Sequence, residues 1–271
     1  MTFEVINLTP RIGSEIKTDV ETLLSGTHAR DIREILEHRG VVVFRNLDIT
    51  DAQQVAIANT LGSIPANEGE GGIYKISLDK GVNARADYLK GSLMWHSDGS
   101  LQKYPNLGAL LRPITLSDVG GQTEFANTYA AYDDLSDAEK QAYDKLRVIH
   151  SAEASQYYVR PEMSYAEVQQ WQQVPNKNCP LVWQHQSGRK SLLLGSTCDY
   201  VTDMKIEESR ALLAKLRDWS TQPQYVYHHQ WQLGDLLIWD NTGTMHRAIP
   251  YPEDSGRLMH RTILEGEEPL N

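Results

Sequence analysis

The chain has 271 residues, enough for a domain with a large buried core, and its composition of 40% hydrophobic and 23% charged residues is typical of a globular protein. The formal net charge of -10 argues against a nucleic-acid partner, because a surface that binds phosphates needs a basic excess. No apolar run approaches the roughly 20 residues that span a bilayer, and the first residues lack a signal-peptide pattern, so we expect no association with a membrane.

In the first third of the chain, hydrophobic periodicity and turn residues predict short strands and helices. The predicted elements are a strand pair within 3–16, a helix over 27–38, a strand at 41–44, a helix over 50–61 and a strand at 73–77. Thr27 is the expected N-cap of the first helix, and Gly40 follows its end. The stretch 63–92 is rich in Gly, Asn, Asp and Lys, which predicts a lid or insert loop.

The rest of the chain is predicted to be rich in strands at its centre and end. The predicted elements are strands over 93–100, 107–111 and 120–126, a helix over 127–146, hairpin strands at 180–185 and 190–194, a helix over 204–219, and strands at 224–230, 235–239 and 258–264. Ser136 and Glu139 fit a capping box, and 157–178 is predicted to be a loop with room for a short helix. With no internal repeat and no linker-like change in composition, we expect one α+β domain over 1–271.

The two cysteines, Cys179 and Cys198, give a prediction about the cellular compartment. They match neither the spacing of a metal site nor that of a redox motif, so no disulfide framework is predicted. Free cysteines persist in a reducing environment, and we therefore expect a cytoplasmic protein.

The stretch around His96 and Asp98 holds the first candidates for chemistry. Residues two apart on a strand project to the same face, so this imidazole and this carboxylate could take neighbouring positions on one metal ion. His246, near the C-terminus, is the candidate third ligand. Two histidines and one carboxylate with open positions form the facial triad of non-haem Fe(II) oxygenases. Ligands so far apart in sequence suit a barrel whose distant strands lie side by side.

Five sequence blocks occur in the order that is found in one enzyme family. The blocks are Trp95–Asp98, Gly120–Ala126, Gly188–Ser191, Trp239–Arg247 and Arg257–Arg261. Together they resemble the taurine and 2,4-dichlorophenoxyacetate dioxygenases, which use Fe(II) and 2-oxoglutarate. The similarity covers most of the chain from about Leu61, and it is greatest to the phenoxyacetate branch, through 123–133 and 239–247. It implies a double-stranded β-helix (jelly-roll) barrel with flanking helices.

The resemblance also implies roles for individual residues. It implies that His96, Asp98 and His246 bind the iron, and that Thr123 and Arg257 bind the distal carboxylate of the cosubstrate 2-oxoglutarate, with O2 as the oxidant. The residue types suit these roles, because a guanidinium binds a carboxylate through two parallel hydrogen bonds and a threonine hydroxyl adds another donor.

Trp239 is expected to lie beside the cofactor-binding residues. It precedes His246 by seven positions, and alternation along one strand would place the two side chains on opposite faces. A turn at 241–243 would reset this alternation. The alternative is that Trp239 only packs in the core, which is the commoner position of a tryptophan.

Arg261 is the residue that bears on the substrate. It lies four positions after Arg257 on a predicted strand, so both side chains are expected to face the pocket. The resemblance implies that this arginine binds a sulfonate or carboxylate of the substrate, and a second buried cation needs an anion to offset its burial. The alternative is an ion pair with a carboxylate of the protein, such as Glu265 or Asp240.

Two further positions are predicted to contact the substrate. Ser92 and Leu101 flank the predicted iron-binding strand where taurine-type enzymes carry a polar and an aromatic contact, and this departure argues against taurine as the substrate. The predicted lid carries four more candidates for substrate specificity: Asn67, Tyr74, Arg85 and Tyr88.

The resulting prediction is an oxidoreductase that hydroxylates a C–H bond of a small, anionic organic molecule, a carboxylate or a sulfonate. Succinate and CO2 are the coproducts, and C–O bond cleavage can follow hydroxylation. The carboxylate at Asp98 favours hydroxylation over halogenation, since related halogenating enzymes leave that ligand position open. A metal-dependent hydrolase and a non-catalytic ligand-binding barrel are the alternatives. As in related enzymes, we expect a homodimer or a homotetramer.

Overall fold

The computed structural model describes residues 3–270. The helices are α1 (Val20–Leu24), α2 (Ala29–Arg39), α3 (Asp51–Leu61), α4 (Ala86–Leu89), α5 (Thr128–Asp133), α6 (Asp137–Tyr143), α7 (Ala152–Val159), α8 (Tyr165–Gln172) and α9 (Ile206–Ser220), with 3-10 helices at Lys90–Leu93 and Pro223–Tyr225. Within 3–270, none of these helices is long and apolar enough to cross a membrane.

Fifteen strands are present in the described part of the chain. They are β1 (Glu4–Asn7), β2 (Ser14–Lys17), β3 (Val41–Phe44), β4 (Tyr74–Ile76), β5 (Gly108–Thr115), β6 (Thr123–Asn127), β7 (Arg147–His150), β8 (Lys177–Pro180), β9 (Val182–Gln184), β10 (Lys190–Leu192), β11 (Cys198–Val201), β12 (Val226–His229), β13 (Leu236–Asp240), β14 (Thr244–Ala248) and β15 (Leu258–Leu264).

Two sheets face each other and form the barrel. The larger has the strand order β1-β2-β3-β13-β5-β15-β4 and the smaller the order β12-β6-β14. All strand pairs in them are antiparallel except β2 and β3. Phe125 and Tyr227 of the smaller sheet pack in one buried cluster with Val43, Leu111 and Trp239 of the larger sheet. This is the predicted double-stranded β-helix, a jelly-roll barrel with flanking helices, in an α+β fold.

Alternation along the central strands separates the barrel interior from its outer layer. Val41 and Val43 face the interior cluster, whereas Val42 and Phe44 pack against helices α1, α2 and α3 on the outside of the larger sheet. Both faces of β3 are therefore apolar, as expected for a strand covered on both sides. The other face of the smaller sheet is covered by α5, α9 and two minor sheets, β11-β7-β8 and β10-β9.

The predicted helix over 127–146 is wrong in its extent. The chain forms two helices there, α5 and α6, and then enters strand β7. The hydroxyl of Ser136 accepts a hydrogen bond from the amide of Glu139, and the Glu139 side chain accepts one from the amide of Ser136. This capping box was predicted, but such a box marks the start of a helix, and a new helix begins at Asp137.

The region 157–178 contains more regular structure than predicted. It includes the end of α7, the whole of α8 and the start of β8. Helix α8 also begins with a capping box, formed by Ser164 and Glu167. The Ser-x-x-Glu pattern was therefore a usable signal in the sequence. In contrast, the predicted cap at Thr27 is wrong, because His28 is the N-cap of α2 and makes no side-chain capping bond.

Candidate metal centre

His96, Asp98 and His246 lie close enough together to bind one metal ion. One ligand atom from each of them lies within 4.8 Å of the others. Nε2 of His96 is 3.7 Å from Oδ1 of Asp98, and Nε2 of His246 is 3.9 Å from Oδ2 of Asp98. These separations are too long for hydrogen bonds between the three side chains, and they leave room for an ion between them.

The segment that carries His96 and Asp98 is not the strand that was predicted. His96 makes only an isolated antiparallel bridge to His246 of β14, with N–O distances of 3.0 and 2.8 Å. A turn follows at once, and Gly99 has a φ of 74°. The strand argument for the His-x-Asp spacing is therefore wrong, and the bridge to β14 and the turn are what bring the side chains together.

Asn241 holds the backbone of Asp98 and was missed as a functional residue. Its Oδ1 accepts a hydrogen bond from the amide of Asp98 at 2.8 Å, and its Nδ2 donates to the carbonyl of Asp98 at 2.7 Å. Nδ2 also donates to the carbonyl of Asn106. The available signal is its place in the Trp239–Arg247 block, from which the sequence predicts only a turn at 241–243.

The hydrogen bonds and charges around the three side chains suit a metal ion. Nδ1 of His96 lies 2.8 Å from the carbonyl of Met94, and donation there leaves Nε2 with a free lone pair. Burial, with the nearby His96, lowers the pKa of His246 to about 3, which keeps this imidazole neutral. Burial raises the pKa of Asp98, but Arg261 and the two histidines outweigh this effect, and the pKa stays below its usual value. One carboxylate and two imidazole nitrogens are the donor set that Fe(II) oxygenases use.

Arg257 is a buried cation, 3% exposed, without a carboxylate partner among the described residues. Its Nε and Nη2 donate to the carbonyl of Gly121 at 3.2 and 3.0 Å, and its guanidinium lies 4.6 Å from the ring centre of Tyr251. Burial lowers its pKa. A buried guanidinium with only neutral neighbours favours a bound anion, and a cosubstrate carboxylate fits this requirement.

Thr123 and Trp239 lie beside the same cavity. The hydroxyl of Thr123 accepts a hydrogen bond from the indole of Trp231 at 3.0 Å, so its own proton is free for a bound molecule. The rings of Trp239 and His246 are 4.8 Å apart, because the turn between β13 and β14 resets the alternation as predicted. The indole nitrogen of Trp239 is buried without a hydrogen-bond partner in the described chain.

Arg261 points to the metal position, but it already has protein partners. Its Nε donates to Oε1 of Glu68 at 3.3 Å and its Nη1 to Oδ2 of Asp98 at 3.4 Å. Neither Glu265 nor Asp240, the partners considered from the sequence, is the one observed. The contact with Glu68 could not be predicted from the sequence, because the two residues are far apart in the chain and no pattern links them.

A cavity of about 320 Å³ joins these groups. Its lining includes all nine predicted site residues: Ser92, His96, Asp98, Leu101, Thr123, Trp239, His246, Arg257 and Arg261. Of the four lid candidates, Tyr88 lines the cavity, Tyr74 lies 5.1 Å from the guanidinium of Arg261, and Asn67 and Arg85 do not line it. Gln156 of α7 was missed: it lines the cavity and is 5% exposed, and its side-chain amide makes no hydrogen bond with a described residue.

Comparison with known proteins identifies the class of enzyme. The family model described as "Taurine catabolism dioxygenase TauD, TfdA family" matches residues 4–263. An alpha-ketoglutarate-dependent 2,4-dichlorophenoxyacetate dioxygenase of Burkholderia sp. (strain RASC) is 32% identical, with 94% of this chain and 91% of the relative covered. An alkylsulfatase of Acinetobacter baylyi (strain ATCC 33305 / BD413 / ADP1) is 30% identical, with 96% of this chain and 84% of the relative covered.

A solved structure agrees with this result. The crystal structure of AAD-2 in complex with Mn(II) and N-oxalylglycine matches with a TM-score of 0.86 and 33% identity, and the match covers 100% of both chains. Barrel, cavity and sequence together define a 2-oxoglutarate-dependent (alpha-ketoglutarate-dependent) dioxygenase, an oxidoreductase. The chain belongs to the TauD/TfdA family, which uses Fe(II), 2-oxoglutarate and O2.

Proposed function

We propose that this dioxygenase hydroxylates a C–H bond of a small organic carboxylate or sulfonate, with C–O bond cleavage where the hydroxylated carbon carries an ether or ester oxygen. His96, Asp98 and His246 would hold Fe(II), and Arg257 and Thr123 would bind the distal carboxylate of 2-oxoglutarate. When bound, the metal and cosubstrate supply the oxidising chemistry and release succinate and CO2. The observation that carries the proposal is the common cavity that places the three ligand atoms and the unpaired Arg257 together.

The protein's own contribution is to position the reactants and exclude water. Asn241 holds the Asp98 backbone, and Arg261 holds the Asp98 carboxylate through its Oδ2. Trp239 would form the wall beside the cosubstrate, and its free indole N–H is a donor for a bound oxygen atom. Apolar side chains of the lining, including Leu111 and Met259, would help to exclude water once a substrate is bound.

Support for an anionic substrate comes from Arg261 and from the relatives. Arg261 lines the cavity next to the metal position, and a guanidinium there attracts a carboxylate or sulfonate. The relatives named above act on 2,4-dichlorophenoxyacetate and, by its name, on alkyl sulfates. Ser92, Leu101 and the amide of Gln156 would contact the remainder of the substrate.

The first experiment is anaerobic addition of 2-oxoglutarate to the Fe(II)-loaded protein, followed by oxygen and a panel of carboxylates, sulfonates and neutral analogues. We expect a visible charge-transfer band that Asp98→Ala abolishes, and succinate release that anionic compounds increase. A metal-dependent hydrolase would show no such band. A band without succinate release above the Asp98→Ala background would instead favour the ligand-binding barrel.

Further predictions accompany this proposal. Residues 1–271 form one catalytic domain, with lid or insert segments around 63–92 and 157–178. The enzyme is a homodimer or homotetramer, its partners are small molecules and include neither nucleic acid nor membrane, and it works in the cytoplasm. The sequence arguments given above support these points, and size-exclusion chromatography with light scattering tests the oligomeric state.

A further inference from the structure

Glu68 is a buried carboxylate held against the substrate-facing arginine. It is 5% exposed, and its Oε1 lies 3.3 Å from Nε of Arg261. Burial raises the pKa of Glu68, and the charge of Arg261 acts against this rise. An ionised pair in such a position needs good geometry to offset its desolvation, and here Arg261 has Glu68 on one edge and Asp98 on the other.

The charges of the site show what this contact does. With Fe(II) and dianionic 2-oxoglutarate bound, the formal charges of the metal, the cosubstrate, Asp98 and Arg257 cancel. Arg261 would then be an excess positive charge that draws in an anion, but the carboxylate of Glu68 removes that excess. A singly charged substrate therefore leaves the site with one net negative charge, and a doubly charged one leaves it with two. Repulsive groups of this kind are a common source of specificity.

We propose that Glu68 is a specificity-determining residue that acts as the internal counter-ion of Arg261. It limits the pocket to substrates with at most one negative charge. It also weakens the preference of the pocket for an acid over the corresponding neutral amide. This inference rests on the proposed function, since it assigns Arg261 to the substrate. The guanidinium still has unused N–H groups for one anion, because Glu68 and Asp98 bind only Nε and Nη1.

The test measures binding to protein loaded with Mn(II) and N-oxalylglycine, so that no turnover is needed. Three probes share one aromatic ether core: phenoxyacetamide is neutral, phenoxyacetate is a monoanion and phenoxymalonate is a dianion. Dissociation constants are measured by calorimetry for the wild type and for Glu68→Gln, whose amide oxygen can still accept the bond from Arg261. Glu70→Gln is the matched control, because it removes the same charge from an exposed site two residues away.

We expect Glu68→Gln to strengthen phenoxyacetate binding relative to phenoxyacetamide by about 10-fold and phenoxymalonate binding by a larger factor. Glu70→Gln should change these ratios less than about twofold. If Glu68→Gln does not fold, Glu68→Met removes the charge at similar volume and the same ratios decide. Unchanged ratios, weaker anion binding or no binding of any probe to the Glu68 variants would overturn the inference.

The proposed function has its own readout in the same preparations. The charge-transfer band of the anaerobic Fe(II)–2-oxoglutarate complex reports on the metal and cosubstrate sites and does not depend on the probes. Absence of this band from the wild type would contradict the proposed function. Its presence together with unchanged binding ratios would contradict only the role of Glu68.

Discussion

Asn241 lies outside the lining of the cavity, but it holds the backbone of a candidate metal ligand. One side-chain amide satisfies both the N–H and the carbonyl of Asp98, and it also ties that backbone to the carbonyl of Asn106. The other bonds of this segment hold its neighbours, such as the hydroxyl of Ser97, which donates to the carbonyl of Thr244, or the Asp98 carboxylate, which Arg261 contacts. Among the side chains, Asn241 is therefore the one that fixes the backbone of Asp98.

We expect Asn241→Ala to weaken metal binding about 10- to 100-fold, the usual cost of losing an outer support of a ligand. The measurement is calorimetric titration with Mn(II), and circular dichroism checks that the fold is kept. Asn178→Ala is the control, since Asn178 is exposed and its side chain bonds to Arg147, away from the backbone of Asp98. Equal Mn(II) affinity in both variants would show that Asp98 keeps its position without this clamp.

Arg257 tests the cosubstrate site at a single residue. Arg257→Lys keeps the positive charge but loses the planar fork that can bind a carboxylate at two points. We expect the dissociation constant of 2-oxoglutarate to rise roughly 10- to 100-fold, measured by titration of the visible band, while Mn(II) affinity without cosubstrate stays the same. Arg112→Lys, on β5 beside Asp51, is the control. An unchanged 2-oxoglutarate affinity would place the distal carboxylate elsewhere.

At the scale of elements, the connection after β10 holds the backbone beside the candidate metal centre. The amide of Ser196 donates to the carbonyl of Trp95 at 2.8 Å, which holds the chain directly before His96. Gly195 has a φ of 143°, and a Cβ built on it would lie 3.0 Å from Cα of His96. The close contact between these two backbones therefore requires a residue without a side chain.

Gly195→Ala is expected to destabilise the protein by about 1–3 kcal/mol and to weaken Mn(II) binding, because the new methyl group must displace His96. Gly188→Ala is a matched control: Gly188 also has a positive φ, 89°, but its added Cβ would meet nothing within 4 Å. It should lower stability by about 1 kcal/mol and leave Mn(II) affinity unchanged. Urea unfolding and calorimetry measure the two effects, and equal Mn(II) affinities would contradict the proposed support of His96.

At the scale of the whole molecule, Asp240 links stability to pH. It is 7% exposed at the end of β13, and burial raises its pKa to about 6 despite hydrogen bonds from Thr242. Its pKa is higher in the folded state than in the unfolded state, so the folded state binds more protons between these two values. The contribution of Asp240 to the free energy of unfolding is therefore present at low pH and is lost as the pH rises towards 6.

Asp240→Asn should remove this penalty while its amide oxygen still accepts the bonds from Thr242. We expect the free energy of unfolding to increase by roughly 2 kcal/mol at pH 8 and by less at pH 5, as measured by urea unfolding. Asp218→Asn, at an exposed position, should change stability little at either pH. An effect of Asp240→Asn that is the same at both pH values would contradict the assignment.

The sequence by itself determined the fold class and predicted which residues form the candidate site. Hydrophobic periodicity was sufficient to predict strands β3, β13 and β15, because the apolar residues of each strand lie on both faces or at alternate positions. The ordered blocks around His96, His246 and Arg257 were sufficient for the candidate site, and all of these residues line one cavity. Local chemistry carries such signals, since periodicity and motif spacing act over a few residues.

Only the tertiary structure decided which partners those residues have. The contact of Glu68 with Arg261, the clamp of Asn241 on Asp98 and the bridge between His96 and His246 each join segments that are distant in sequence. Such contacts arise where packing closes a barrel, and each buried polar group takes the partner that the closed barrel brings to it. The identity of that partner leaves no periodic pattern in the chain. In the cavity, the contact between Glu68 and Arg261 is the one on which the net charge depends.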